Sequence, residues 1–139
     1  MKPYHGMRIH LNDGNNDFKE AFFYPMHGCT RLIVQDFDGD GDVDIALLST
    51  FPDYESHPNE TFVYLENNGI RDFDFTGYAL PDPNAGRWFL MVSGDMDSDG
   101  DEDIIISSLT YAYSPVPEDL QEKWDAESLD LLLLENLTK

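Results

Sequence analysis

Basic residues are scarce in this chain. Eight lysines and arginines stand against 28 aspartates and glutamates in 139 residues, a formal net charge of −20 with neutral histidines. Nucleic acid and membrane insertion are therefore not expected, since nucleic acid and anionic lipid surfaces are held through basic patches. A cation is the expected counterpart. The only cysteine, Cys29, rules out an internal disulfide and says little about compartment. No run of about 18 apolar residues is present to span a bilayer. The opening Met1-Lys2-Pro3-Tyr4-His5 has no apolar core, so it does not read as a signal peptide. A nucleophile elbow, a Walker loop, a dinucleotide fingerprint and a His-Glu-x-x-His helix are all missing, which leaves no motif for catalysis. His5, His10, His27 and His57 show no close metal-ligand spacing and are not expected to form a site. Hydrophobic residues at 41% and aromatics at 13% do form a core-building composition, over a length that suits one domain.

What the chain does contain is repetition. Asp36-Phe-Asp-Gly-Asp-Gly-Asp-Val-Asp44 returns as Asp95-Met-Asp-Ser-Asp-Gly-Asp-Glu-Asp103, at an offset of 59. A second element, an apolar run ending in Asn-x-Gly and followed by Asp-Phe, spans Ile9 to Phe18 and recurs over Tyr64 to Phe73. A looser third copy, Leu132 to Asn136, echoes Val63 to Asn67. Such periods exceed those of most solenoids and suit a four-stranded propeller blade.

The strands follow from short apolar runs, continuous rather than alternating, as expected where both faces of a sheet are covered. Leu32–Val34 leads into the first aspartate loop and Ile45–Leu48 leaves it; Trp88–Val92 and Ile104–Ile106 flank the second. Thr61–Glu66 reads as a third strand, Asn67-Asn68-Gly69 as a turn and Phe73–Leu80 as a fourth strand. Between Pro117 and Ser128 the pattern changes. Glu118–Glu122 and Asp119–Lys123 stand four residues apart, with Leu120 and Trp124 on one face, so a short helical insertion is expected near 117–128. The expected fold is all-β: consecutive four-stranded antiparallel β-propeller blades forming an open arc. One partial propeller over 1–139 would comprise a half blade at 7–25 (strands three and four), a complete blade at 29–81 and a blade lacking strand four at 86–137. Residues 128–136 should lie at a sheet edge and residues 7–24 in a different sheet. Phasing of this kind fits the C-terminal part of a propeller of about six to eight blades, with exposed edges prone to association.

Both loops match Asp-x-Asp-x-Asp-Gly-x-x-Asp. Calcium takes about 6–8 oxygen ligands, and alternate aspartates at positions 1, 3 and 5 aim short carboxylates at one centre. Those are Asp36, Asp38 and Asp40, and Asp95, Asp97 and Asp99. Gly41 and Gly100 at position 6 permit a sharp, positive-φ turn. Asp42 and Asp101 at position 7 would offer backbone carbonyls. Asp44 and Asp103 at position 9 would close the sphere with both oxygens. An EF-hand needs glutamate at position 12; here that position is Leu47 or Ile106. Two Ca²⁺ sites are expected, and magnesium suits an all-protein oxygen cage less well.

On these loops, their following apolar strands and the Tyr-Leu-Glu-Asn-Asn-Gly at 64–69, the sequence resembles the FG-GAP and VCBS repeat family, known from integrin α-subunit propellers. The resemblance covers about residues 8–137. It implies calcium bound between the first two strands of a blade, by Asp36, Asp38, Asp40 and Asp44 and by Asp95, Asp97, Asp99 and Asp103. It also implies an extracellular or periplasmic setting, in a branch found among bacterial proteins. The Phe-Gly and Gly-Ala-Pro signatures are missing, so integrin-like ligand binding is not implied. The expected role is a non-enzymatic scaffold, or a module binding a protein or glycan, within a larger secreted protein. The alternative is part of a calcium-dependent polysaccharide lyase or hydrolase. The polar stretch Asp53-Tyr-Glu-Ser-His57 reads as a solvated loop and Trp88 as a core anchor.

Overall fold

A computed structural model describes residues 4–69, 71–111 and 114–138. Met1, Lys2 and Pro3 of the opening segment lie outside them. Among the described residues, nine strands and one helix follow in order: β1 (Gly6–Asn12), β2 (Phe18–Pro25), β3 (Cys29–Gln35), β4 (Asp44–Ser49), β5 (Phe62–Asn67), β6 (Phe75–Ala79), β7 (Trp88–Gly94), β8 (Asp103–Ser108), α1 (Glu118–Glu127) and β9 (Leu131–Leu134). They form three sheets of two, four and three strands, ordered β1-β2, β3-β4-β5-β6 and β7-β8-β9. Every pairing is antiparallel between consecutive strands. The expected all-β chain with one short helix is found, β9 is at a sheet edge, and β1-β2 stands in a sheet of its own.

The four-stranded sheet lies between the other two. Its strand β4 is buried along its whole length, which is why Ile45-Ala-Leu-Leu48 does not alternate with polar residues. Ala46, Leu48 and Phe62 pack with Trp88, Met91, Ile104 and Ile106 of the three-stranded sheet. Ile45, Leu47, Val63 and Leu65 pack on the opposite side with Met7 and Met26. Burying one such leucine is worth about 1.5–3 kcal/mol, so each interface is a substantial hydrophobic core. Trp88 is a core anchor, only 2% exposed. Its indole N–H donates to the Pro83 carbonyl at 2.8 Å.

The repeat maps one interface onto the other. An offset of 59 turns Leu32, Ile45 and Leu47 into Met91, Ile104 and Ile106. Ile45 and Leu47 face β1-β2; Met91, Ile104 and Ile106 face the four-stranded sheet. Each equivalent set thus meets the sheet that precedes it in the chain.

Two expectations are corrected in detail. The fourth strand begins at Phe75, not Phe73. Phe73 has a φ of 60°, and the Asn68 N–H bonds the Asp74 carbonyl, so the turn extends through residue 74. From that turn the Phe73 ring stacks on Phe22 at 5.8 Å. The helix forms between Pro117 and a left-handed Ser128. Lys123, expected to pair with Asp119, instead reaches Asp82 at 2.9 Å. The buried Trp124 explains that choice: its N–H donates to the Asn84 carbonyl at 2.9 Å, which holds the helix against the 81–86 connection.

Candidate metal centres in the aspartate loops

Each aspartate loop joins two paired strands. Gln35 pairs with Asp44, and Gly94 with Asp103, so the loop ends are fixed by the sheet before any side chain acts. Within the loop, aspartate oxygens take backbone N–H groups two or more residues ahead, the local turn that short acidic side chains favour. Asp36 accepts from Gly39 at 2.9 Å and from Gly41 at 3.1 Å; Asp38 accepts from Asp40, and Asp40 from Asp42. In the second loop Asp95 accepts from Ser98 at 2.7 Å and from Asp99 at 3.2 Å, Asp97 accepts from Asp99, and Asp99 from Asp101. The position-6 glycines have φ of 96° (Gly41) and 103° (Gly100), the positive values expected of them.

This winding gathers carboxylates. Ligating oxygens of Asp36, Asp38 and Asp40 lie within 4.8 Å of one another, as do those of Asp95, Asp97 and Asp99. Position 7 differs between the loops. Asp42 is directed toward the turn at Gly69, where its Oδ2 occupies the space a Cβ would need. Asp101 keeps both carboxylate oxygens shielded from solvent, and they accept no hydrogen bond among the described residues. Shielded acceptors with no donor, beside three convergent carboxylates, are the donor set a hard cation requires. The residues therefore fit calcium.

Asp44 and Asp103 behave differently from the rest. Both are buried. Asp44 accepts from the Phe37 N–H at 3.0 Å, the Asn67 N–H at 2.8 Å and the Tyr64 hydroxyl at 2.7 Å. Asp103 accepts from the Met96 N–H at 2.9 Å and the Asn136 N–H at 2.8 Å. Through these bonds the position-9 aspartates tie position 2 of each loop to the end of the third strand. Asn67 and Asn136 complete the tie, with side-chain amides on the carbonyls of Val43 (3.3 Å) and Glu102 (3.4 Å) respectively. The Asn136 amide also reaches the Phe37 carbonyl, joining the first loop to the next sheet. The sequence places Asn67 in a turn and Asn136 at the end of a repeat copy, without an anchoring role for either. The repeated Glu-Asn at 66–67 and 135–136 was the available signal.

Asp38, Asp97 and Asp101 lean toward their protonated forms. Loss of hydration comes first, followed by repulsion from neighbouring aspartates, and together they raise Asp38 and Asp97 against the pull of the loop amides. The same causes push Asp101 up to about 6. A folded-state pKa above the unfolded value means the folded protein binds more protons, so without calcium stability falls as pH rises through about 4 to 6. In chelator, the melting temperature should be higher at pH 5.5 than at pH 7.5. In saturating calcium this gain should shrink or reverse, because protons then compete with the cation. Melting curves at both pH values, with and without calcium, check the sign.

Elsewhere, the structure joins residues that sequence spacing kept apart. The His27 and His57 rings lie 4.6 Å apart, with Glu60 beside them. The two sit in different connections, so spacing along the chain does not bring them together.

The family model of the FG-GAP-like repeat matches residues 36–106, just over half of the chain, from the first aspartate of one loop into the strand that follows the other. No curated protein and no solved structure gives a significant match.

Proposed function

Because the chain belongs to the FG-GAP-like repeat family, we propose that it is a calcium-binding, non-enzymatic segment of a larger β-propeller. The observation that carries the proposal is the convergence of three carboxylates in each of two loops at equivalent repeat positions. Calcium acts structurally, replacing mutual repulsion among the aspartates with shared coordination and fixing the connection between the first two strands of each blade.

The propeller arrangement is supported by the equivalence of the two inter-sheet interfaces. A contact that joins one face of a unit to the opposite face of the next is head-to-tail, the kind of contact that builds a ring where the rotation between units closes. Further blades also account for the apolar surface left on the stack. Val92 and Leu133, paired through Ile105 on the outer face of β7-β8-β9, are 55% and 50% exposed. Leu32 and Val34 of β3 are 52% and 50% exposed on the side that β1-β2 covers only in part. The module belongs outside the cytoplasm, extracellular or periplasmic, where calcium is plentiful enough for sites of ~0.1–1 mM affinity. There it serves as a scaffold or presents its loops to a protein or glycan.

Calorimetric titration should find two calcium ions per chain. Asp36→Ala with Asp38→Ala should delete one, and Asp95→Ala with Asp97→Ala the other. Absence of binding heat would refute the proposal. Nanomolar affinity would contradict the extracellular setting.

A further inference from the structure

At the end of the four-stranded sheet away from the aspartate loops, two connections meet. One is the β2–β3 turn, which carries His27; the other is the β4–β5 connection, which carries His57 and Glu60. A ligating atom from each of these three residues lies within 4.8 Å of the others. The geometry points to a second kind of metal site here, His27-His57-Glu60, taking a zinc-class divalent cation.

The donor chemistry separates this site from the calcium loops. Two imidazole nitrogens and one carboxylate suit zinc and its neighbours in the transition series, whereas calcium takes oxygen. His27 Nδ1 is shielded from solvent and has no hydrogen-bond partner among the described residues, so a bound cation would satisfy a nitrogen that is otherwise left bare. A carboxylate stands beside the His57 ring: its Nδ1 is 3.6 Å from an Asp53 oxygen, an ion-pair distance from which that carboxylate could orient the ring and leave the other nitrogen for the metal.

Backbone bonds hold the three in place. The Ser49 hydroxyl donates to the His27 carbonyl at 2.5 Å. The His57 N–H donates to the Asp53 carbonyl at 2.8 Å, and the Glu60 N–H to the His57 carbonyl at 3.1 Å, a turn that brings His57 and Glu60 to one side. The residue after His27, Gly28, has a φ of 67° and packs so closely on Phe51 that any Cβ would strike its carbonyl oxygen at 2.0 Å. The turn carrying His27 is therefore pressed against the connection carrying the other two ligands. Bound metal would staple the two connections together. With three protein ligands it would keep one position open to water or to a ligand.

Zinc binding by the whole chain should be measured with calcium held at saturation, so that the aspartate loops are already filled. One zinc per chain is expected. His57→Gln, on an exposed side chain, and His27→Gln should each weaken it more than Asp53→Asn, which should cost about tenfold. Calcium stoichiometry and the far-ultraviolet spectrum of these variants should be unchanged. Cobalt in place of zinc should give visible d–d absorption from the wild-type protein. Zinc uptake by H27Q/H57Q equal to wild type, or a wild-type cobalt spectrum without those bands, would overturn the assignment. Neither result bears on calcium in the aspartate loops, which the calorimetric titration tests separately.

Discussion

Removing calcium with excess chelator should lower the melting temperature of this protein by roughly 15 °C. A ligand that binds only the folded state stabilises it by about 2.7 kcal/mol per site at 100 times its dissociation constant. Two sites give about 5 kcal/mol, and a chain of this size loses about 3 °C per kcal/mol. The prediction rests on how little else holds the loops. Asp40, Asp95, Asp97 and Asp99 are exposed, Asp36 and Asp38 are half-buried, and the hydrogen bonds these carboxylates accept come from amides within the same loop. No basic side chain forms an ion pair with any of them among the described residues. The loops also join strands that pack into both cores, so their repulsion is transmitted to the sheets. Magnesium should restore little of the loss, since it holds its water tightly and demands a smaller octahedron. A melting curve indifferent to chelator would remove the structural role assigned to calcium.

The strands were legible in the sequence because burial on both faces leaves a simple trace. Ile45–Leu48 and Ile104–Ile106 are continuous apolar runs that leave the acidic loops; β4 is covered on both faces, while in β8 Ile105 on the outer face is covered only in part. The gathering of alternate aspartates was legible for a similar reason: it follows from local turns that the sequence itself encodes. Long-range geometry was not. Nothing near Asp44 in sequence says that its carboxylate will meet Tyr64 and Asn67, 20 and 23 residues away, or that Asp42 will turn aside toward Gly69 while Asp101 stays enclosed. The same limit hid His27 from His57. Lys123 shows how tertiary packing overrides a local rule: a helical pair worth a few tenths of a kcal/mol gives way to the partner that Trp124 burial brings near.

Replacing Asp44 by alanine should destabilise the protein by about 3–5 kcal/mol, even in chelator. The reason is what the carboxylate leaves behind. Three donors depend on it: the Phe37 and Asn67 amides and the Tyr64 hydroxyl. Asp44 is 0% exposed, and Phe37 is buried too. Each donor stranded away from water costs about 1–3 kcal/mol, with part recovered by local relaxation. Tyr64→Phe removes one donor and leaves the acceptor with two, so it should cost only about 1 kcal/mol. Burial, followed by the Asp44 hydrogen bond, raises the Tyr64 phenol, so the hydroxyl remains a donor across the working pH range. Asp103→Ala strands the Met96 and Asn136 amides, two donors rather than three, and should cost less than Asp44→Ala. Urea unfolding in chelator separates anchoring from coordination. Were Asp44 only a calcium ligand, deleting it there would be neutral or stabilising, because it would relieve the repulsion it exerts on Asp38. A large loss in chelator, matched by a coupling energy between Asp44 and Tyr64 in a double-mutant cycle, identifies it as the post to which the first loop is tied.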